Sequence, residues 1–160
     1  MAIFQNLSRD VKVKLLGFAL LMVAIGQGRI FLLENINYQM HHLYFGTENS
    51  SMHSILFPLG NFLYDELMLV KWFLTIAFTL IFFICSYLTL SLIFQKSEFN
   101  RIFSYGYALL LLVSFVLYIT DGLIGELGAG YKASRMVMGI AQSPMPLLIL
   151  LPFFTLAKQK

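Results

Sequence analysis

Arg29, Glu34, Lys71, Asp121 and Arg135 are the side chains through which this chain could do chemistry. Arg29 lies inside an apolar stretch beside Gly26, Gln27 and Gly28, and the other four stand where apolar stretches meet polar ones. A guanidinium among apolar groups suits recognition of a carboxylate or phosphate, because it presents a rigid fork of donors and keeps its charge. Such a charge costs about 2.5 to 3.5 kcal/mol at the centre of a bilayer on insertion scales, and less near the edge, so it calls for a compensating group. Glu34 points to another side of an unbroken helix, which leaves Asp121 or a partner protein as equally good candidates. A second polar feature is the step Gln142-Ser143-Pro144-Met145-Pro146, followed by Pro152. Proline removes backbone hydrogen bonds, so this stretch should kink or unwind and turn carbonyls toward neighbours or toward Gln142 and Ser143. Breaks of this kind build substrate sites in some transporters, and more often only bend a helix to fit its bundle.

Sharper chemistries find little support. His41 and His42 invite a haem or metal reading, but neighbours on a helix diverge by about 100°, so both cannot serve one axial site. Cys85 is the single cysteine and lies in apolar surroundings that disfavour a thiolate, which makes it a packing residue. Neither GxSxG, HExxH nor a phosphate-cradling glycine loop is present. A histidine and carboxylate pair, His41 with Glu34 or Asp121, is the one combination that an enzyme acting on lipid headgroups could use. The residues thus argue against an enzyme, and no cofactor is expected.

The elements that must position these groups follow from composition. Of 160 residues, 59% are hydrophobic and 12% charged, with a mean hydropathy of +0.78. That is too little polar surface to coat a water-soluble globule. Apolar stretches run over about 15–33, 67–94, 102–120 and 136–157, each reaching the roughly 20 residues a helix needs to cross about 30 Å of hydrocarbon. Continuous runs, as opposed to alternating ones, favour helices over a membrane barrel. The expected fold is an all-α membrane protein of one domain over 1–160, a four-transmembrane-helix bundle with outer loops at 34–66 and 121–135. An uncleaved first helix is preferred to a signal peptide ending near Gly26, because the apolar stretch resumes beyond Arg29.

Charge sets the orientation. Arg9, Lys12, Lys14, Lys96, Arg101, Lys158 and Lys160 fall on one side, whereas Glu34, Glu48, Asp65, Glu66, Asp121 and Glu126 fall on the other. Both termini are therefore expected in the cytoplasm. At about 1.5 Å per residue, Arg29 lies about 22 Å up the first span, and Glu34, Lys71, Asp121 and Arg135 about 28 to 37 Å up theirs, one polar layer at the outer interface. The plainer role for that layer is anchoring, since charges at helix ends snorkel to headgroups. In the longer outer loop, Leu33, Ile36, Met40, Leu43 and Tyr44 recur at helical spacing, which suits a surface helix or an extension of the first span. The glycine-rich run Gly122 to Gly130 reads as a turn, with Ser134 as cap of the last helix. Gly106, Ala108 and Ser114, with Ala77, Ser86 and Ser91, are the small residues expected at helix contacts. A net charge of +3 without a basic stripe argues against nucleic acid.

The order of features resembles the small membrane proteins associated with the exosortase F system of Gram-negative bacteria. The corresponding residues are Arg29-Ile-Phe-Leu-Leu-Glu34, Tyr44-Phe45, Arg135, Gln142-Ser-Pro144 and Leu151-Pro-Phe-Phe154, with departures at Tyr38-Gln-Met-His-His42, Ser134-Arg135 and the intervening Ser143. The resemblance implies a multi-pass protein of the bacterial inner membrane. It also implies an accessory role beside an exosortase-like membrane partner, which processes sorting signals at the outer face. The competing reading is a small transporter or a lipid or quinone carrier, with Arg29, Gln142 and Ser143 lining an anion niche.

Overall fold

The computed structural model describes residues 8–47, 49–124 and 128–158. Gly125, Glu126 and Leu127 of the glycine-rich turn lie outside the described residues, as do Glu48 and Lys160. The chain forms α1 (Arg9–Phe45), a 3-10 helix (Ser54–Asn61), α2 (Tyr64–Phe94), α3 (Ser97–Ile124), α4 (Ala129–Ala141) and α5 (Met145–Lys158). The fold is all-helical, at 89% helix, with no strand among the described residues. α1, α2 and α3 are long and apolar enough to cross a membrane, and α4 with α5 makes a fourth candidate if the bent pair is one span. Helices are the form that satisfies every backbone group within one segment, as hydrocarbon demands.

Local signals set most helix ends. At the start of α1, Ser8 Oγ accepts from Val11 N at 3.4 Å and its carbonyl from Lys12 N at 3.1 Å, an N-cap arrangement. Gly46 closes α1 at a φ of +63°, its N–H donating to the His42 carbonyl at 2.9 Å. This left-handed C-cap is a conformation glycine adopts without the Cβ penalty. α2 opens with Glu66 Oε2 accepting from Leu63 N at 2.8 Å, half of a capping box. α2 then closes on Gln95, a non-glycine at φ 52° whose N–H reaches Ser91 O at 3.2 Å. An L-residue held there costs about 1 to 2 kcal/mol. Gln95→Gly should accordingly stabilise the protein by about 1 kcal/mol, read as a higher melting temperature in detergent.

Several boundaries differ from the sequence expectation. α1 runs past Leu33 to Phe45, the extension of the first span that was one of the two forms the spacing of Leu33 to Tyr44 allowed, because no breaker intervenes before Gly46 and because Asn35, Ile36, Gln39 and Met40 are buried along one face. The 3-10 helix, with Pro58 inside it, is an element the periodicity did not announce. α4 starts at Ala129, not near Met136, so Ser134 lies inside it and is not a cap; Gly128, at φ 54° and with no side-chain cap bond, takes the N-cap position. The proline step splits the last stretch, and α4 and α5 are bent by 59° across it. Pro146 falls in the first turn of α5, where a missing N–H costs nothing, whereas Pro152 sits inside the helix.

The chain divides into two compact units, one of Val23–Leu80 and one of Met1–Met22 with Ile81–Lys160. In the first, Ile36, Met40 and Leu67 form a buried core with Leu59, Tyr64, Val70 and Leu74 packed on it. In the second, aromatic rings join three helices. Phe94, Phe99 and Phe154 form a triangle with centroids 4.9 to 5.9 Å apart, and Phe83, Phe103 and Tyr107 form another at 5.0 to 5.9 Å. Offset and edge contacts of this kind exploit the ring quadrupoles. Outside these cores the helices present apolar side chains: Leu69 and Phe73 are each 71% exposed. Such surface belongs to a membrane-embedded protein.

Candidate functional site

In the unit Val23–Leu80, three buried or half-buried amides on α1 organise the polar residues. Asn35 Nδ2 donates to Phe31 O at 2.7 Å, while its Oδ1 accepts from His53 N at 2.6 Å. Gln39 Nε2 donates to Gly60 O at 3.3 Å. These two side chains tie the chain segment around the 3-10 helix to α1. His53 in turn caps that helix, Nδ1 accepting from Ile55 N at 3.2 Å, and its ring meets Phe31 edge-on at 5.6 Å. The third amide, Asn37, accepts from Lys71 Nζ at 2.7 Å through Oδ1. That bond fixes an otherwise flexible ammonium to the facing helix.

Above this contact the surface opens into a shallow groove of about 250 Å³. Asn37, His41 and Lys71 supply its polar wall, and Tyr44, Phe45 and Tyr64 its rings, with Met40 between them. Among the described residues, no carboxylate lines it. Tyr44 stands 4.9 Å from Phe45 and 6.1 Å from Tyr64 by ring centroids, and the His41 ring lies 4.5 Å from Phe45. The arrangement combines fixed positive charge with flat apolar faces, a surface suited to an anion that carries an apolar body.

The residues read from the sequence as one polar layer divide between the two units, and each engages its own neighbours. Arg29 is half-buried on α1; Glu34 is exposed and accepts from Tyr38 OH at 2.7 Å. In the other unit, Asp121 Oδ1 accepts from Gly130 N at 3.0 Å, so its carboxylate serves the first turn of α4, where the helix dipole favours negative charge. Arg135 is exposed, with its guanidinium 5.6 Å over the Tyr131 ring.

The proline-broken step is internally satisfied. Ser143 Oγ donates to Ile140 O at 2.7 Å and accepts from Met145 N at 3.3 Å, bridging the gap between α4 and α5. Pro144 supplies a carbonyl to Leu148 N at 3.0 Å. Gln142 is 2% exposed, and next to it the Ala141 carbonyl accepts from Tyr107 OH at 2.6 Å. Two turns further from the break, Ser114 and Ser134 exchange bonds between α3 and α4: Ser134 Oγ donates to Ser114 O at 2.8 Å and Ser114 Oγ to Ser134 O at 3.1 Å.

Sequence reasoning placed His41 and Lys71 at the outer surface but missed Asn35, Asn37, Gln39 and Tyr64 as a group. A signal was there: amides at 35 and 39, one turn apart, directly precede the apolar residues 36 and 40. His42 turns away from its neighbour, Nδ1 lying 3.0 Å from Thr47 Oγ1, and no group of three or more metal-ligating side chains converges among the described residues. Of the small residues expected at contacts, Ser86 and Ser114 are buried and Ser91 accepts from Asn100 Nδ2, whereas Ala108 is exposed. Compared with protein-family models, with curated proteins and with solved structures, the chain matches none.

Proposed function

We propose that the chain is a non-enzymatic accessory protein of a bacterial inner membrane, spanning it four times with both termini in the cytoplasm. In this reading it assists an exosortase-like processing enzyme at the outer face. The groove at the end of α1, polar and aromatic on an otherwise lipid-suited molecule, is the observation that carries the reading. Interaction faces are enriched in Tyr, Phe and Met, and the rings give contact area at small conformational cost. The remaining polar side chains support it differently: Asp121, Ser143, Ser114 and Ser134 are spent on helix ends and helix contacts, which are structural tasks. The likeness of Arg29 to Glu34 and of Gln142 to Pro144 to the exosortase-associated pattern adds the identity of the partner.

The test has two parts. Reporter fusions at residues 55 and 128 should both report a non-cytoplasmic position, and a cytoplasmic signal from either ends the topology. A photo-crosslinker at Tyr44 should capture a multi-pass processing enzyme identified by mass spectrometry, and deleting the gene should slow the maturation of proteins that carry C-terminal sorting signals. Normal maturation in the deletion strain overturns the accessory role. A second reading, a small carrier for a lipid or quinone, is favoured by the 59° bend between α4 and α5. It requires Gln142→Ala and Ser143→Ala to abolish uptake in vesicles while leaving crosslinking at Tyr44 intact.

A further inference from the structure

The connection between α1 and α2 carries apolar side chains that no part of its own unit covers. We propose that the 3-10 helix Ser54–Asn61 inserts Ile55 and Phe57 into the bilayer that α1 and α2 cross, at the boundary of headgroups and acyl chains, as a membrane wedge. The inference rests on the membrane-embedded character of the helices and requires neither an exosortase-like partner nor a particular orientation of the termini.

Composition is the first argument. No Asp, Glu, Lys or Arg occurs from Asn49 to Tyr64, where a water-exposed connection of that length would carry about four at the usual quarter of residues. Leu59 turns inward onto the Ile36 core, whereas among the described residues Ile55 and Phe57 are each 71% exposed. The backbone is the second argument. His53 N donates to Asn35 Oδ1 and Ile55 N to His53 Nδ1, while Leu56 N reaches His53 O at 3.0 Å and Phe62 N reaches Leu59 O at 3.2 Å. Pro58 has no N–H to place. Backbone at membrane depth must find its partners inside the protein, and these donors do.

Level is the third argument, and α1 fixes it. The apolar stretch of α1 ends at Leu33, and the exposed Glu34 follows. His53 hangs on Asn35 and Gly60 on Gln39, which lie about 3 and 9 Å beyond Leu33 along the helix axis. The headgroup layer occupies roughly 5 to 8 Å on each side of the hydrocarbon. The 3-10 helix therefore starts within that layer and ends at its outer margin, with Ile55 and Phe57 in the half nearer the hydrocarbon. Continuity is the fourth. The His53 ring meets Phe31 edge-on at 5.6 Å, and Phe31 and Ile30, exposed by 39 and 52%, belong to the apolar stretch itself. The exposed patch thus runs on from the apolar surface of α1 without a polar gap.

The experiment uses the full chain with its single cysteine replaced, Cys85→Ala, reconstituted in phosphatidylcholine vesicles. A nitroxide is attached at Phe57→Cys, at Ile55→Cys or, as the reference for water, at Asn49→Cys, an exposed position just past the end of α1. Electron paramagnetic resonance then compares relaxation by oxygen, which concentrates in hydrocarbon, with relaxation by a water-soluble nickel chelate supplied on both sides. Labels at 55 and 57 should respond to oxygen over nickel and lie about 5 to 10 Å into the boundary of headgroups and acyl chains, the depth of an interfacial helix. The label at 49 should respond in the reverse order. Nickel access at 55 and 57 equal to that at 49 overturns the proposal. Protection from both reagents assigns the patch to a protein contact, with a second copy or with another part of this chain, and overturns it as well. If Phe57→Cys fails to fold, Ile55→Cys decides the matter. Neither crosslinking at Tyr44 nor sorting in the deletion strain depends on this depth, so the two readings fall separately.

Discussion

Asn35→Leu should destabilise the protein by about 1 to 3 kcal/mol, the sum of two lost hydrogen bonds at about 0.5 to 1.5 kcal/mol each. The substitution keeps the branched outline and heavy-atom count of the side chain, but the His53 N–H loses an acceptor at 2.6 Å and the local bond to Phe31 O disappears. With that tie gone, the 3-10 helix keeps the Gln39 bond to Gly60 O and the packing of Leu59 on the Ile36 core. Phe57 in that segment is 71% exposed, so chymotrypsin should cut there several times faster in the variant, with α2 and α3 protected as before. Unchanged cleavage would mean that the 3-10 helix holds its place by other contacts. Gln39→Leu should act in the same direction and by a smaller amount, since its bond to Gly60 O is longer, at 3.3 Å.

Gly130→Ala is expected to cost about as much, from the opposite cause. A Cβ at Gly130 would stand 2.8 Å from Asp121 Cβ and 3.0 Å from the Leu117 carbonyl oxygen. A helix backbone cannot yield as a side chain does, so α4 must move off α3, lengthening the Asp121 to Gly130 bond and opening the Ser114 and Ser134 seam. Overpacking of this kind typically costs about 1 to 3 kcal/mol, to which interhelical hydrogen bonds worth about 0.6 kcal/mol each in a membrane are added. Gly139→Ala is the control on the same helix. Nothing lies within 4 Å of its built Cβ, and it should gain about 0.5 to 1 kcal/mol from reduced backbone freedom. Thermal melts in detergent should therefore move in opposite directions; a neutral Gly130→Ala would show that α3 and α4 are not in close contact there.

Which parts of this molecule could be read from the sequence depends on how far apart the interacting residues lie. The apolar stretches were legible because a membrane span is a local property of composition, and the bend near Pro144 because proline acts on its own backbone. Ser114 was legible as a small residue within a span, although its partner was not: Ser134 looked like a cap because it follows a glycine-rich run, and only the position of α4 shows it to be internal. The end of α1 was harder to read. Polar amides at 35, 37 and 39 resemble a loop in a hydropathy profile, and what keeps them helical is a set of bonds to His53, Gly60 and Lys71, between 18 and 34 residues away. Asp121 was correctly singled out as a polar residue at a helix end, but its role as a partner for Gly130 N depends on a turn whose path no periodicity describes.

The length of α1 has a mechanical consequence. At 37 residues it measures about 55 Å along its axis, against a hydrocarbon slab of about 30 Å. Whatever leans on its far end works through a lever: the part beyond the slab, about 25 Å, swings its tip by roughly 4 Å for a tilt of about 10° at the slab. Changes in bilayer thickness, which helices accommodate by tilting, would then be felt as displacement at Tyr44 and Phe45, where the rings gather.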